Sequence, residues 1–267
     1  MLRQAVFGLV IFTGACDPAP LPVASTSAAV TGSSEKGAQA QPPPKVDVGP
    51  PEVDAVHEYT GGARSGDVVP MIVAIHGLGD RPVSFRALFS GFSVKAHFVF
   101  PAGGLPWGDG FAWWPIRGPI DENNMAPGLG AAAERLAQAI AGWSAKGTSG
   151  KPIITGFSQG GMLSFTIAAT HPEIVGEAVP VAGLLPPSLA PSVWPAGAPK
   201  PRVTALHGDA DGRVPFAFGQ KSVEALRGLG LAVELKSYPG VQHTVSAEMR
   251  ADWLKALEAA VARASSP

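Results

Sequence analysis

The 267-residue sequence predicts an α/β fold, a mostly parallel twisted sheet with helices on both faces. Three observations carry that prediction. Short, almost wholly apolar runs recur along the chain, as strands buried on both faces require. Longer segments lie between them, with apolar residues returning at helical spacing. Gly, Pro and Ser gather where one pattern gives way to the next.

The first long run is Met71-Ile72-Val73-Ala74-Ile75, followed by His97-Phe98-Val99-Phe100, Ile153-Ile154-Thr155-Gly156-Phe157 and Val203-Thr204-Ala205-Leu206. Ala178-Val179-Pro180-Val181-Ala182 fits a strand less comfortably, because Pro180 has no N–H for a sheet ladder. Val233 to Tyr238 alternates in polarity, as a half-exposed strand near an edge does. Leu129, Ala132, Leu136, Ile140 and Trp143 form one helical stripe, with Pro127 placed in its first turn and Asp121-Glu122-Asn123-Asn124 read as a polar loop before it. Met249, Trp253, Leu257 and Val261 stripe the last helix. In sheets of this kind ligands sit at the carboxyl ends of the strands, so the residues just after each strand matter most.

Composition narrows the function. Hydrophobic residues make up 46% and charged residues 15%, which permits a sizeable core and excludes wholesale disorder. The length suits one large domain plus a short extension. Lys plus Arg (20) nearly balances Asp plus Glu (21), and no basic stripe occurs, so nucleic acid is not an expected partner. The single cysteine, Cys16, rules out an intramolecular disulfide and a Cys-based zinc site.

Arg3 precedes an apolar run from Ala5 to Phe12, and Thr13-Gly14-Ala15 are small residues just before Cys16. This predicts a secretory signal peptide over 1–16, too short to span a bilayer as a stable helix. Small residues followed at once by Cys resemble the lipobox of bacterial lipoproteins, in which the Cys is lipidated and becomes the mature N-terminus. Thr13 departs from the Leu usual there, and an ordinary cleaved signal with an incidental Cys is the alternative. The expectation is an exported protein anchored to a membrane through Cys16, or otherwise periplasmic or secreted. Residues 17–53 are rich in Pro, Ala, Ser and Gly without apolar periodicity, which predicts a disordered tether ahead of a globular domain at 54–267.

The strand ends carry the chemistry. Gly156-Phe157-Ser158-Gln159-Gly160 is a G-x-S-x-G pentapeptide lying between a predicted strand and a predicted helix. So tight a turn needs small flanking residues, lifts the Ser158 hydroxyl clear of the sheet and sets it at a helix N-terminus that favours developing negative charge. A serine hydroxyl is a weak nucleophile until a base accepts its proton, and the base needs an orienting carboxylate. Three histidines follow Ser158. His171 precedes Pro172 at a helix end, and His207 opens His207-Gly208-Asp209-Ala210-Asp211, where it reads as structural. His243 lies in a loop between the last strand and the last helix, from which an imidazole can reach the serine, so it is the predicted base. Asp209 and Asp211 compete for the acid on spacing alone. His76-Gly77-Leu78-Gly79-Asp80 ends the first long strand, where a His-Gly pair lets the backbone turn an amide toward a reacting carbonyl; the amides of Leu78 and Gln159 are the expected oxyanion donors. His76 itself reads as structural. A zinc site from His76, His207 and His243 would leave the serine turn unexplained.

Together these residues resemble the phospholipase/carboxylesterase family of α/β-hydrolases, which includes the acyl-protein thioesterases. The resemblance rests on His76-Gly77-Leu78-Gly79-Asp80, Gly156 to Gly161, His207 to Asp211 with Val214-Pro215, and Tyr238-Pro239-Gly240 leading to His243, in the family's order over roughly residues 70–260. It implies the α/β-hydrolase fold, with Ser158 as nucleophile, Asp211 as acid, His243 as base and the Leu78 and Gln159 amides as oxyanion donors. Ala112-Trp113-Trp114-Pro115 falls where the family carries an aromatic segment near the acyl pocket, so Trp113 and Trp114 are candidate substrate contacts, with core packing as the equal alternative. The implied activity is hydrolysis of small-molecule or lipid esters or thioesters without metal or organic cofactor. A surface-anchored polymer or aryl esterase is the rival enzyme, and a non-catalytic binding protein on the same scaffold the rival class. The export signal departs from the usual cytosolic members, which puts protein depalmitoylation in doubt and leaves esterase chemistry intact.

Overall fold

The computed structural model describes residues 52–116, 118 and 120–266. The export signal, Cys16 and nearly all of the tether lie outside the described residues.

In chain order the elements are β1 (Ala55–Thr60), β2 (Met71–Ile75), α1 (Pro82–Phe85), β3 (Ala96–Pro101), β4 (Leu105–Trp107), β5 (Gly110–Ala112), α2 (Glu122–Ser144), β6 (Ile153–Phe157), α3 (Gln159–Thr170), β7 (Glu177–Val181), β8 (Arg202–Gly208), α4 (Phe216–Gly228), β9 (Val233–Tyr238) and α5 (Ala247–Ala264). Seven strands form one sheet in the order β1-β3-β2-β6-β7-β8-β9, and β4 and β5 form a separate hairpin. Only β1 runs antiparallel to its neighbour in the main sheet; every other pair is parallel.

Strand geometry divides the core in two. Successive side chains point to opposite faces, so Met71, Val73 and Ile75 join Leu129, Leu136, Leu163 and Leu226 on the face covered by α2, α3 and α4. Ile72 and Ala74 turn the other way, to Phe85, Phe89, Trp253 and Leu257 on the face covered by α1 and α5. The helices on both faces, the parallel sheet and the predicted strands are thus all present, and the fold is that of an α/β-hydrolase.

Three details differ from the reading of the sequence. Helix α2 begins five residues before Pro127, because Asp121 caps it by accepting from the amides of Asn123 and Asn124, so Glu122 to Asn124 form its first turn instead of a loop. Pro127 therefore sits inside the helix. Pro180 does occupy a strand flanked on both sides: its partner on β6 is Gly156, while the register with β8 is interrupted between Ala178 and Val181, where the missing N–H falls.

The order of strands sets the site. From β2 the chain steps to β3 on one side, then crosses by α2 to β6 on the other. The switch in direction falls between β2 and β6, and His76 and Ser158 directly follow these two strands.

Candidate active site

Ser158 links β6 to α3 with φ of 57° and ψ of −115°, a left-handed conformation that costs a residue with a Cβ about 1–3 kcal/mol and persists only where the surroundings enforce it. The glycines around it are required by close approach. A Cβ on Gly160 would lie 1.9 Å from the Ile75 carbonyl oxygen, and one on Gly156 would lie 2.5 Å from the Gly160 backbone. Helix α3 therefore starts directly against the sheet and holds the half-buried serine hydroxyl above the strand ends.

His243 reaches that hydroxyl from the loop after β9. Its Nε2 is 2.9 Å from Ser158 Oγ, and its Nδ1 is 2.7 Å from Asp211 Oδ2. A carboxylate only accepts, so Nδ1 carries the hydrogen and Nε2 is left to receive the serine proton. Ser158, Asp211 and His243 thus come from the ends of β6, β8 and β9, and they meet in one hydrogen-bonded line.

The competition between the two aspartates is resolved by where each points. Asp209 accepts from the Gly240 amide at 2.6 Å and ties the loop after β8 to the loop that carries His243. Asp211 faces the imidazole. Its Oδ1 accepts from the amides of Arg213 and Val214 at 2.9 and 2.8 Å. Burial pushes the Asp211 carboxyl up, but hydrogen bonds from His207 and His243, the charge of His243 and the Val214 amide outweigh it and hold the group well below the usual carboxylate range. It is an anion at any pH where a neutral imidazole could act as base.

The loop after β2 lies against the serine: a Cβ on Gly77 would be 3.5 Å from Ser158 Cβ. Among the described residues no backbone acceptor outside the regular elements is recorded for the Leu78 or Gln159 amide.

A model of the phospholipase/carboxylesterase family matches residues 63–260. The chain belongs to that family. Carboxylesterase SOBER1 of Arabidopsis thaliana is 31% identical over 133 residues, which cover 49% of this chain and 57% of that protein. Acyl-protein thioesterase 1 of Gibberella zeae is 35% identical over 99 residues, 36% of this chain and 42% of that one. The chain spans about half the length of the curated relatives it matches. Among solved structures, esterase PE8 shares the fold with a TM-score of 0.68 at 22% identity, covering 78% of this chain and 99% of the other.

The aromatic segment after β5 is buried and hydrogen-bonded to the residues around the serine. Trp113 is 3% exposed and Trp114 2% exposed. The Trp113 indole donates to the His76 carbonyl at 3.0 Å. Gln159 supplies more than its backbone: its buried side chain accepts from the Trp113 amide at 3.0 Å and donates to the Trp114 carbonyl at 3.2 Å. Trp114 also borders a cavity of about 450 Å3 with Ile116, Ile120 and Met125 as apolar walls.

His76 is fully buried. Its Nδ1 donates to the Gly77 carbonyl at 2.7 Å and its Nε2 accepts from the Gly103 amide at 3.0 Å. Burial lowers it to about 4, against which the Gly77 bond pulls upward. Among the described residues no three His, Cys, Asp or Glu are placed to hold a metal ion.

The sequence reading missed the β4–β5 hairpin, which is joined to the loop after β2 by Gly79 N to Phe111 O at 2.8 Å and Phe111 N to Asp80 O at 3.1 Å. Gly108-Asp109-Gly110 was the available signal, a turn sequence between short apolar stretches. The hairpin leaves Trp107 42% exposed beside Gly79, the large aromatic that does face solvent near the site.

Proposed function

We propose that the protein is a serine hydrolase that cleaves carboxylic esters, thioesters included, of small or acyl substrates through an acyl-enzyme. The observation that carries the proposal is the line from Ser158 Oγ to His243 to Asp211, with steps of 2.9 and 2.7 Å. Relatives named carboxylesterase and acyl-protein thioesterase support it.

In this reading Ser158 Oγ attacks the carbonyl carbon while His243 Nε2 takes its proton. Asp211 keeps the imidazole in the productive tautomer and stabilises the cation that forms. The Leu78 and Gln159 amides receive the oxyanion, each worth roughly 3 kcal/mol in the transition state. His243 then returns the proton to the departing alcohol or thiol, and the same sequence with water releases the acid. The chemistry calls for no metal or organic cofactor.

Purified protein incubated with p-nitrophenyl esters of graded chain length is expected to show turnover, and Ser158→Ala to abolish it with the circular dichroism spectrum unchanged. No turnover at any length by the wild type would favour a binding protein instead, and retained activity in the alanine variant would refute the role of Ser158. Export is part of the proposal, with a lipid on Cys16 as the anchor. Cys16→Ser is expected to move the full-length protein from the membrane to the soluble fraction; unchanged fractionation removes the anchor.

A further inference from the structure

We infer that His207 is a positioning residue for Asp211, and that through Asp211 it governs how the carboxylate holds the His243 imidazole; the inference rests on the reading of Ser158, His243 and Asp211 as a catalytic triad. His207 is the penultimate residue of β8, and its ring is 2% exposed. Its Nε2 stands 2.8 Å from the Val214 carbonyl oxygen and 3.4 Å from Asp211 Oδ2. Both neighbours are acceptors, so Nε2 carries the hydrogen and shares it between them. Oδ2 is also the oxygen that receives His243 Nδ1–H at 2.7 Å. One carboxylate oxygen therefore has two imidazoles on it, one facing the serine and one behind.

Two consequences follow. The first is geometric. Val214 donates its amide to Asp211 Oδ1 and gives its carbonyl to His207, so the acid loop closes on itself across the ring. The ring in turn is fixed by α4: Phe216 meets it edge-on with centroids 5.7 Å apart, and a Cβ on Gly219 would lie 2.6 Å from Nδ1. The second is electrostatic. A hydrogen shared with Oδ2 from behind draws negative charge away from the side that faces His243, so Asp211 stabilises the His243 cation less than an otherwise free carboxylate would. The ionisable groups facing Asp211 are His207 from β8 and His243 from the loop after β9. Asp209 turns to Gly240, and from α4 Phe216 and Gly219 approach the His207 ring.

The test compares His207→Gln, whose amide N–H reaches about as far as imidazole Nε2, with His207→Leu, which fills similar space without a donor. Two readouts apply to each: the pH profile of kcat/KM on a short p-nitrophenyl ester, and the low-field proton resonance of His243 Nδ1–H. In His207→Leu, kcat/KM at pH 7 is expected to fall about tenfold and its acid limb to move upward. His207→Gln is expected to stay within about twofold of wild type with its limb in place. A folded His207→Leu with unchanged rate and profile overturns the inference, and so does a Gln variant as impaired as the Leu one. Should the Leu variant not fold, His207→Asn, a methylene too short to reach Asp211, takes its place with the same criteria. If the wild type cleaves no ester, the proposed activity fails separately. The His243 resonance then decides alone: a shift in the Leu variant and not in the Gln variant supports the inference, and no shift in either overturns it.

Discussion

Replacing His76 with Gln is expected to flatten the dependence of stability on pH below neutrality. The imidazole is fully buried and is lowered to about 4, against about 6.5 in an unfolded chain. Its folded form therefore prefers to be neutral. Above the unfolded value the group costs nothing. As pH falls below it, the unfolded chain takes up a proton that the folded chain refuses, and stability drains away until the pH passes the folded value. Linkage between those two values puts the cost at about 0.2 kcal/mol at pH 7, about 2 kcal/mol at pH 5 and about 3 kcal/mol at pH 4. Gln carries a carbonyl able to accept from the Gly103 amide, and it does not titrate. The variant has its own fixed cost at every pH, so the quantity to read is a difference of differences. Urea unfolding of both proteins at pH 7 and pH 5 gives it, and other groups, such as His97, which burial also lowers to about 4, cancel between the two. Wild type should lose about 2 kcal/mol more than the variant over that interval. Equal losses would mean that His76 protonates in place, and that its two hydrogen bonds do not hold the loop after β2 as described.

Ser158→Gly is expected to remove activity and raise the melting temperature by about 2–4 °C, because glycine adopts a φ of 57° without the penalty that serine bears; a lower melting temperature in calorimetry would refute the strain. Gln159→Leu leaves the backbone amide in place but strands the Trp113 amide and the Trp114 carbonyl in a buried setting. A loss of about 2–4 kcal/mol in urea unfolding is expected, with a fall in kcat larger than any change in KM, whereas unaltered stability would show that the carboxamide is dispensable.

How much of this was legible depended on whether a residue's role is set by its near neighbours or by distant ones. The turn at Ser158 announces itself because a strand, two flanking glycines and a helix are contiguous in the chain, and His243 follows from its place between the last strand and the last helix. Asp209 and Asp211 could not be separated that way. Two residues apart on one loop, they differ only in whether they meet Gly240 or His243, both brought in from the loop after β9. Helix α2 was started too late because Asp121 to Asn124 are polar enough for a loop, and only the capping bonds show that they form a first turn. Strand β1 escaped because an antiparallel edge needs little apolar alternation: His57 and Glu58 are exposed at its centre. Trp113 and Trp114 illustrate the opposite difficulty. Two adjacent indoles are as suited to a groove as to a core, and what places Trp113 inside is a carbonyl at His76 and a carboxamide at Gln159, both far away in sequence.

Those distant bonds share a pattern that bears on how the site stays assembled. Each loop at the carboxyl end of the sheet is tied to its neighbour's backbone. Ser158 N donates to Val181 O at 3.0 Å, Ala182 N to Leu206 O at 2.9 Å, and Asp209 N to Tyr238 O at 3.1 Å. Gly79 N donates to Phe111 O at 2.8 Å on the other flank. Two of these loops also hold non-glycine residues at positive φ, Ser158 at 57° and Ala182 at 49°. Strained residues relax unless something opposes them, and here each is opposed by the next loop along. A hydroxyl, an imidazole and a carboxylate carried on separate strands are thereby kept at hydrogen-bonding distance, which in the proposed reaction would leave little reorganisation. The same linkage means that loosening one loop moves the others, which is why a change at Gln159 or His207, neither of which need touch a substrate with its side chain, should be read first in kcat.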